Sequence, residues 1–266
     1  MIKKIPLVSV VITTYNRVNL LKRAIISVLE QDYSNIEIIV QDDASTDNTT
    51  KYIKELQIIN NNLFYFKNDI NLGNALTRNK AIKNSNGKYV AFLDDDDVWV
   101  SKNKLSIQIE ALENSKINIG LCCTQAYLKI NNQIKAFPIQ LPKNMKYQIL
   151  QGNEVIHNSS VVIKRDIINQ IGGFDIKLKR GIDSEFFRNL ITRFNYEILF
   201  IPVPTIFYET NGNDRITTKK GLKEAKKIFF VHAYILWKYR IQYLEEPKAL
   251  YIRVKNLILQ PIRAFI

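Results

Sequence analysis

The sequence predicts an α/β fold in which a mostly parallel β-sheet is flanked by helices. Apolar, β-branched runs of strand length alternate with segments whose apolar residues recur about every fourth position, as on one face of a helix. That alternation is typical of a doubly wound, parallel sheet. In the first part of the chain, strands are predicted at 8–13, 36–40, 63–66 and 89–93, and helices at about 20–29, 49–56 and 74–84, the last closed by Gly87.

The pattern is less regular in the second part of the chain. A helix at about 102–114 and a strand at about 121–130 come first, and an irregular stretch follows. Pro202 and Pro204 indicate that the last strand lies at an edge of the sheet or leaves it there. The remaining predictions are strands at 159–163 and 197–201 and helices at 165–171 and about 183–194.

The chain has 266 residues and a net charge of +13, which implies an anionic partner. That partner could be nucleic acid, an acidic membrane surface or a phosphorylated small molecule. From Arg215 to Ile266 there are twelve Lys and Arg against three Asp and Glu, a local balance of +9. These basic residues lack the pattern of known nucleic-acid modules, so no nucleic-acid partner is expected.

The C-terminal tail, residues 213–266, is predicted to be a basic, amphipathic helical segment, with helices at about 219–243 and 249–262. Its mixture of basic, aromatic and aliphatic residues fits peripheral contact with an anionic membrane. The alternative is that the helices pack on the rest of the chain with their basic edges in water. The sequence does not separate these two interpretations.

Three features predict a cytoplasmic location, with the inner face of the cell membrane as a place of action. No run reaches the ~18 apolar residues of a membrane span. The N-terminus runs into a strand-like segment and not into a signal-peptide core. The adjacent Cys122 and Cys123 fit reduced core thiols, because neighbouring residues of a strand point to opposite faces.

Polar side chains follow three predicted strands at their carboxyl ends, where open α/β sheets bind ligands. The groups are 13–16, 42–43 and Asp94–Asp97. Four adjacent carboxylates repel one another, and a bound divalent cation is the simplest compensation. An all-oxygen ligand set favours Mg²⁺ or Mn²⁺ over zinc. Each group also has a structural interpretation as a turn, a helix cap or a solvated loop.

Other nucleotide-binding and metal motifs are absent from the sequence. No Gly-x-Gly-x-x-Gly follows the first strand, and there is no Gly-Lys-Ser/Thr loop, which argues against dinucleotide-binding and P-loop folds. His157 and His232 have no third His or Cys nearby, so neither indicates zinc.

The chain resembles the family 2 glycosyltransferases, which have the GT-A fold, over about residues 7–212. The resemblance depends on several sequence motifs that occur in the same order as in the family, since a single motif would be weak evidence. The blocks are Val8-Ser9-Val10-Val11-Ile12-Thr13-Thr14-Tyr15-Asn16, residues 40–47, Asn71-Leu72-Gly73 with Arg78-Asn79, residues 87–97, and Ile171-Gly172-Gly173-Phe174-Asp175 with Asp183.

The resemblance implies a nucleotide-sugar site built on the strand ends. Thr13, Tyr15 and Asn16 belong to the donor-binding motif, in which Thr13 and Tyr15 would line the nucleobase pocket. Asp43 would accept a hydrogen bond from the uracil imide, and Arg78 would lie near the uridine or the phosphates.

In the same resemblance, Asp94-Asp95-Asp96 corresponds to the family's DXD motif. Asp95 would sit near the ribose. Asp96, with help from Asp94 or Asp95, would hold the Mn²⁺ or Mg²⁺ that bridges the donor pyrophosphate and stabilises the leaving nucleoside diphosphate.

Inverting transfer also needs a base for the acceptor hydroxyl. The resemblance places Asp183 in that role. The alternative is that Asp183 has a structural role as the N-cap of the following helix. Many relatives carry Glu-Asp where this chain has Ile182-Asp183, and Glu185 is a nearby alternative. His157 is a candidate for the acceptor pocket.

The expected function is therefore inverting transfer of one sugar from a UDP-sugar to a hydroxyl of a glycan or lipid-linked acceptor, in bacterial surface polysaccharide synthesis. The Gln-x-x-Arg-Trp signature of processive synthases is absent from the sequence. We expect a catalytic domain at 1–212, with a nucleotide-sugar-binding half at 1–100 and an acceptor-binding half at 101–212, followed by the tail.

Two other functions remain open at this point. One is a nucleotide-sugar-binding or membrane-associated partner protein without turnover. The other is a Mg²⁺-dependent phosphatase, because residues 94–98 formally fit Asp-x-Asp-x-Val. That motif normally ends the first strand of its fold, and here three strand-helix units precede it.

Overall fold

The computed structural model of the protein describes residues 5–115, 118–130, 133–137, 142–153, 156–208 and 221–265. By its internal contacts the chain forms two compact units. The predicted boundary between residues 212 and 213 lies outside the described residues, and that division of the chain stays a prediction. Unit 1 comprises Met1–Ile139, Ile156–Gly173 and Glu197–Thr210, and unit 2 comprises Gln140–Val155, Phe174–Tyr196 and Asn211–Ile266.

Unit 1 contains the β-sheet and the helices that follow its strands. In chain order its elements are β1 (Val8–Thr14), α1 (Val18–Leu29), β2 (Ile36–Asp42), α2 (Thr49–Gln57), β3 (Leu63–Lys67), α3 (Asn74–Lys83), β4 (Tyr89–Asp94), β5 (Val98–Trp99), α4 (Lys104–Glu113), β6 (Ile119–Ile130) and β7 (Gln133–Phe137). Unit 2 contributes α5 (Met145–Gln151), after which unit 1 continues with β8 (Val162–Lys164), α6 (Arg165–Ile171) and β9 (Glu197–Tyr208).

The strands form one mixed sheet in the order β3-β2-β1-β4-β8-β6-β9-β5, with β7 paired to β6. The first four strands are parallel to one another. β8 runs antiparallel to both of its neighbours, and β6 and β9 are again parallel. The predicted class, a mostly parallel sheet flanked by helices, is confirmed.

The register of the central strands brings the candidate site together. β1, β2 and β4 are buried over almost their whole length, because helices cover both faces of the sheet. Thr13 of β1 is paired with Asp94 of β4, and Thr14 is paired with Asp42 of β2. The polar residues at three strand ends therefore lie side by side at one edge.

Two predictions for the second part of the sheet were wrong in their bounds. The predicted strand at 159–163 begins as a 3-10 turn, Asn158–Ser160, and β8 starts only at Val162. β9 does not end before Pro202 but continues to Tyr208. It does so because its register against β6 shifts between the pairs Ile201–Thr124 and Pro204–Gln125, and a bulge of this kind accommodates prolines. The short strands β5 and β7 and helix α5 were not predicted.

Unit 2 is helical. Besides α5 it contains α7 (Ile182–Thr192), α8 (Leu222–Lys238), α9 (Arg240–Glu245) and α10 (Pro247–Phe265). The helix predicted at 219–243 is two helices separated at Tyr239, and its first residues lie outside the described part of the chain. Tyr239 and Tyr243 are buried, so part of the tail belongs to the core of unit 2. Within the described ranges, none of the helices is both long and apolar enough to cross a membrane.

Gly87 is required by close packing and not by a helix cap. α3 ends at Lys83 with Asn84 as its C-cap, so the prediction that Gly87 closes the helix was wrong. The Gly87 amide donates to Ser9 Oγ at 2.7 Å and to Glu37 Oε1 at 3.1 Å. A Cβ atom on Gly87 would lie 2.6 Å from the Ser9 amide nitrogen. Only glycine lets β4 begin this close to β1.

We expect Gly87→Ala to lower the free energy of unfolding by about 1–3 kcal/mol, because the added methyl group must displace backbone. Urea denaturation measures the change. The control is Lys83→Ala on the exposed side of α3, which should change stability by no more than about 0.5 kcal/mol. Equal stabilities for the two variants would contradict the packing argument.

Candidate active site

The acidic run Asp94–Asp97 forms the turn between β4 and β5. β4 ends at Asp94, the Asp97 amide donates back to the Asp94 carbonyl at 3.1 Å, and β5 begins at the next residue. The four carboxylates differ in burial. Asp95 and Asp97 are buried, whereas the side chains of Asp94 and Asp96 are about one-third exposed, at 32% and 35%. The run therefore presents only two of its members to solvent.

Asp95 is buried beneath the turn and bound to β1 and its following loop. Its carboxylate accepts a hydrogen bond from Thr14 Oγ1 at 2.7 Å and contacts Arg17 at 3.2 Å. Burial raises the pKa of Asp95 to about 6, against the opposing effects of the Arg17 charge and the Thr14 hydrogen bond. The neighbouring Asp96 charge raises that pKa further.

Two arginines supply positive charge to the run. Arg17 bridges Asp95 and Asp96, at 3.2 and 3.3 Å. Arg78, whose side chain is only 3% exposed, binds Asp94 at 2.6 Å. The inference that a divalent cation is the simplest compensation was therefore incomplete, because fixed guanidinium groups already offset much of the repulsion. Arg17 was missed by the sequence analysis.

The turn Asn158–Ser160 supports the run from a third direction. Asn158 Nδ2 donates to Asp94 at 3.0 Å. Ser159 Oγ accepts from the Asp94 amide at 3.0 Å and donates to the Asp97 carboxylate at 2.5 Å. Trp99 Nε1 donates to the Ser159 carbonyl at 2.9 Å, which ties β5 to the same turn. These contacts fix the backbone of the acidic turn, and the sequence analysis did not find them.

Asp43 lies at the end of β2 and is 5% exposed. It accepts hydrogen bonds from the amides of Leu72 and Gly73 at 2.8 and 2.9 Å and from Asn68 Nδ2 at 2.9 Å. Gly73 is the N-cap of α3, so Asp43 holds the start of that helix beside β2. The helix in turn carries Arg78 to Asp94.

The residues at the end of β1 and just after it form the rim of the site. Thr13 Oγ1 donates to Asn74 Oδ1 at 3.1 Å, and Tyr15 is 46% exposed. Asn16 adopts a positive φ of 54°, a conformation that asparagine tolerates better than most residues. Its Oδ1 accepts from the Thr46 amide at 2.7 Å, which joins the loop after β1 to the loop after β2. An exposed aromatic ring beside a fixed backbone suits a planar ligand.

The other predicted site residues lie in different surroundings. His157, in unit 1, is half-buried, and its carbonyl accepts from the Ser160 amide at 3.0 Å. Asp183, in unit 2, is the second residue of α7. Gly181 occupies the N-cap, so the alternative interpretation of Asp183 as the cap was wrong. Glu185 is 1% exposed and binds Lys238 and Tyr239, which favours a structural role for it.

The donor set of the run fits a hard divalent cation. Asp94 and Asp96 offer partly exposed carboxylate oxygens, which Mg²⁺ and Mn²⁺ prefer. Across the described residues, no three His, Cys, Asp or Glu side chains form a ready-made metal cage. A cation bound through one or two carboxylates and otherwise through substrate phosphates needs no such cage.

The family model for "Glycosyl transferase family 2" matches residues 9–172, and the chain belongs to this family. The match covers β1 to α6 and so includes the whole acidic turn with its supporting residues. It agrees with the resemblance inferred from the sequence motifs, and the chain is a glycosyltransferase. In the sheet the run follows β4 and not β1, so the phosphatase alternative has no support.

The chain is similar to the Escherichia coli protein "UDP-Glc:alpha-D-GlcNAc-diphosphoundecaprenol beta-1,3-glucosyltransferase WfgD". The two are 34% identical over 163 residues, which cover 61% of this chain and 62% of that protein. The match thus spans less than two thirds of the relative's length.

Two solved structures share the fold. The mannosyltransferase PcManGT from Pyrobaculum calidifontis, in complex with GDP-Man and Mn²⁺, has a TM-score of 0.66 at 20% identity, covering 94% of this chain and 74% of that one. S. aureus TarS 1–349, in complex with UDP-GlcNAc, also has a TM-score of 0.66, at 19% identity, covering 86% and 66%. Both are nucleotide-sugar complexes, and together they establish the GT-A fold of the chain.

The raised pKa of Asp95 makes stability depend on pH. The folded protein binds the Asp95 proton more tightly than the unfolded chain does, with a pKa of about 6 against the usual 3.8 of an aspartate. The contribution of Asp95 to stability is therefore present at low pH and is lost as the pH rises through about 6.

We expect the unfolding free energy of the unaltered protein, minus that of Asp95→Asn, to fall by about 1–2 kcal/mol between pH 4.5 and pH 7.5. Urea denaturation of both proteins at the two pH values measures it. A difference that stays constant, or grows with pH, would contradict the burial of an ionisable Asp95.

Proposed function

We propose that this glycosyltransferase transfers one sugar, with inversion, from a UDP-sugar to a hydroxyl of a glycan or lipid-linked acceptor, in the synthesis of a bacterial surface polysaccharide. The observation that carries the proposal is the acidic turn, where Asp96 and Asp94 face solvent at the carboxyl ends of the parallel strands. The named donor and diphosphoundecaprenol acceptor of the Escherichia coli relative support the substrate classes.

In this proposal the rim residues bind the nucleoside. Tyr15 stacks on the base, Thr13 lines the same pocket, and Asn16 holds the backbone that presents them. Asp43 accepts the imide proton of uracil while it fixes the start of α3. Arg78, anchored on Asp94, adds positive charge near the donor phosphates, and Asp95 lies near the ribose.

We further propose that Asp96, with Asp94, holds Mn²⁺ or Mg²⁺. When bound, the ion neutralises the diphosphate leaving group. Arg17 pairs with both Asp95 and Asp96, so it keeps the buried Asp95 compensated while Asp96 turns toward a ligand. The turn Asn158–Ser160 keeps the backbone of the run in place meanwhile.

Asp183 is the proposed base that removes the proton from the acceptor hydroxyl. It lies in the first turn of α7, where the amide groups of a helix N-terminus favour a charged carboxylate. Glu185 is a poorer candidate, because Lys238 and Tyr239 already bind its carboxylate. His157 stays a proposed contact of the acceptor.

Two variants separate donor binding from chemistry. Asp96→Asn should lose the Mn²⁺-dependent part of UDP-sugar binding and the transfer activity, because an amide is a poor ligand for a hard cation. Asp183→Asn should keep donor affinity within a few-fold and lose transfer. Calorimetric titration of the donor, with and without Mn²⁺, and product analysis measure both. Full turnover by Asp183→Asn, or metal-dependent binding by Asp96→Asn, would refute the corresponding role.

A thermal-shift screen of UDP- and GDP-sugars with Mn²⁺ identifies the donor. One of the two structural neighbours is in complex with a GDP-sugar and the other with a UDP-sugar, so the fold alone does not choose between these two nucleobases. Selective stabilisation by UDP-sugars supports the proposal, and selective stabilisation by GDP-sugars would refute its donor class. Donor binding without hydrolysis or transfer to any acceptor would favour the alternative of a partner protein without turnover.

We also propose that the tail contacts an anionic membrane from the cytoplasmic side, near lipid-linked acceptors. α8 carries a ladder of stacked rings, Phe230, Tyr234 and Trp237, with centroid distances of 6.1 and 5.9 Å. Phe230 and Trp237 are 54% and 60% exposed. Exposed aromatic rings on a basic helix suit the interface of an anionic bilayer.

Flotation with vesicles containing phosphatidylglycerol tests this contact on the full chain. Truncation is unsuitable, because the tail contributes Tyr239 and Tyr243 to the core of unit 2. Replacing Phe230 and Trp237 by Ser should lower the bound fraction several-fold. The matched control replaces the exposed Ile58 and Ile59 of unit 1 by Ser and should bind normally. Equal flotation of both double variants would contradict membrane binding through α8.

A further inference from the structure

The stretch just before α7, the helix that carries Asp183, contacts both ends of α8. Before α7, Asp175 accepts hydrogen bonds from Tyr234 at 2.7 Å and from Lys238 at 2.5 Å. At the other end of α8, Arg180 binds Glu224 at 2.8 Å. The stretch from 175 to 180 is therefore held to α8 at two points, one near each end of the helix.

The first turn of α7 is fastened to the same helix. Glu185, two residues after Asp183, is bound by Lys238 at 2.6 Å and by Tyr239 Oη at 2.6 Å. Its amide donates to the Gly181 carbonyl at 3.0 Å, which closes the turn in which Asp183 lies. The ring of Phe186 stacks on Phe174 at 4.4 Å. Asp183 is thus enclosed between contacts that precede and follow it.

Lys238 is the cation that these contacts share. Its amino group bridges Asp175 and Glu185, whose side chains are only 11% and 1% exposed. Burial acts to raise the pKa of Asp175, but hydrogen bonds from Lys238, Tyr234 and the Lys177 amide, with the Lys238 charge, lower the pKa overall. Because a buried carboxylate without its cation is costly, loss of Lys238 should weaken the anchoring of Asp175 and Glu185, which lie on either side of Asp183.

We propose that α8 supports residues 175–185, which include Asp183, and that Lys238 is a positioning residue for Asp183. The inference rests on the proposed role of Asp183 as the base. Lys238 binds Asp175 and Glu185 directly. It acts by holding Asp175 and Glu185, and through them the turn from which the Asp183 carboxylate projects. A displacement of a catalytic group by ~1 Å can cost on the order of 10²-fold in rate.

The test compares full-length Lys238→Met and Lys238→Arg with a control, Lys248→Met, at an exposed position of α10. Transfer to a water-soluble acceptor is measured well below the melting temperature of each protein. We expect Lys238→Met to lower kcat at least tenfold, with the donor KM within about threefold of the unaltered value. Lys238→Arg, which keeps the cation, should recover most of kcat, and Lys248→Met should match the unaltered protein. A folded Lys238→Met variant with kcat within twofold would overturn the inference.

If Lys238→Met does not fold, the Tyr239→Phe variant tests the inference instead. It removes one hydroxyl from Glu185 and leaves the ion pair, so a folded protein with kcat reduced at least threefold and unchanged donor KM supports the inference. A kcat within twofold overturns it. Asp183→Asn, assayed in parallel, separates the two claims. Full turnover in that variant would refute both the role of Asp183 as the base and this inference. An inactive Asp183→Asn together with a folded, fully active Lys238→Met would refute only the inference.

Discussion

Four consecutive carboxylates at the end of a buried strand can be held together only where their charges are compensated. Unit 1 meets this constraint from several directions. The loop after β1 provides Arg17, α3 provides the buried Arg78, and the turn Asn158–Ser160 provides amide and hydroxyl hydrogen bonds. The register of β1 against β4 places the loop after β1 beside the run, the turn Asn158–Ser160 precedes β8, which pairs with β4, and Asp43 anchors α3 next to β2. The acidic turn is therefore a product of the sheet's topology.

The fold could be predicted where local pattern decides structure. β1 to β4 and their helices are buried apolar runs separated by polar loops, and the structure places them within a few residues of the predicted bounds. Prediction failed where pairing between distant segments decides. Val98–Trp99 is a strand only because it pairs with β9. β9 continues beyond its two prolines only because its pairing with β6 shifts in register there. Neither the two residues of β5 nor the sequence around the prolines of β9 indicates which strand pairs with them.

The candidate site divides in the same way. The strand-end pattern pointed to the carboxylates and to Tyr15, and the family resemblance added Arg78, which the structure places beside Asp94. Arg17, Asn158 and Ser159 were missed, because their roles come from contacts with the run across the sheet. The need for positive charge beside four carboxylates was a signal that could have drawn attention to Arg17, which follows β1 within three residues. In unit 2, the charged contacts of Lys238 likewise carry no local signature.

We propose that Asp96 of this turn receives the metal and the donor diphosphate while Asp95 stays bound beneath it. Diffraction from crystals of the full chain grown with UDP and Mn²⁺, with data collected at the manganese absorption edge, tests it most directly. We expect a single manganese peak at the Asp96 carboxylate, in contact with the UDP diphosphate, and an Asp95 carboxylate that still accepts hydrogen bonds from Thr14 and Arg17. A manganese peak or a nucleotide bound away from the turn, or an Asp95 released to the metal, would contradict it.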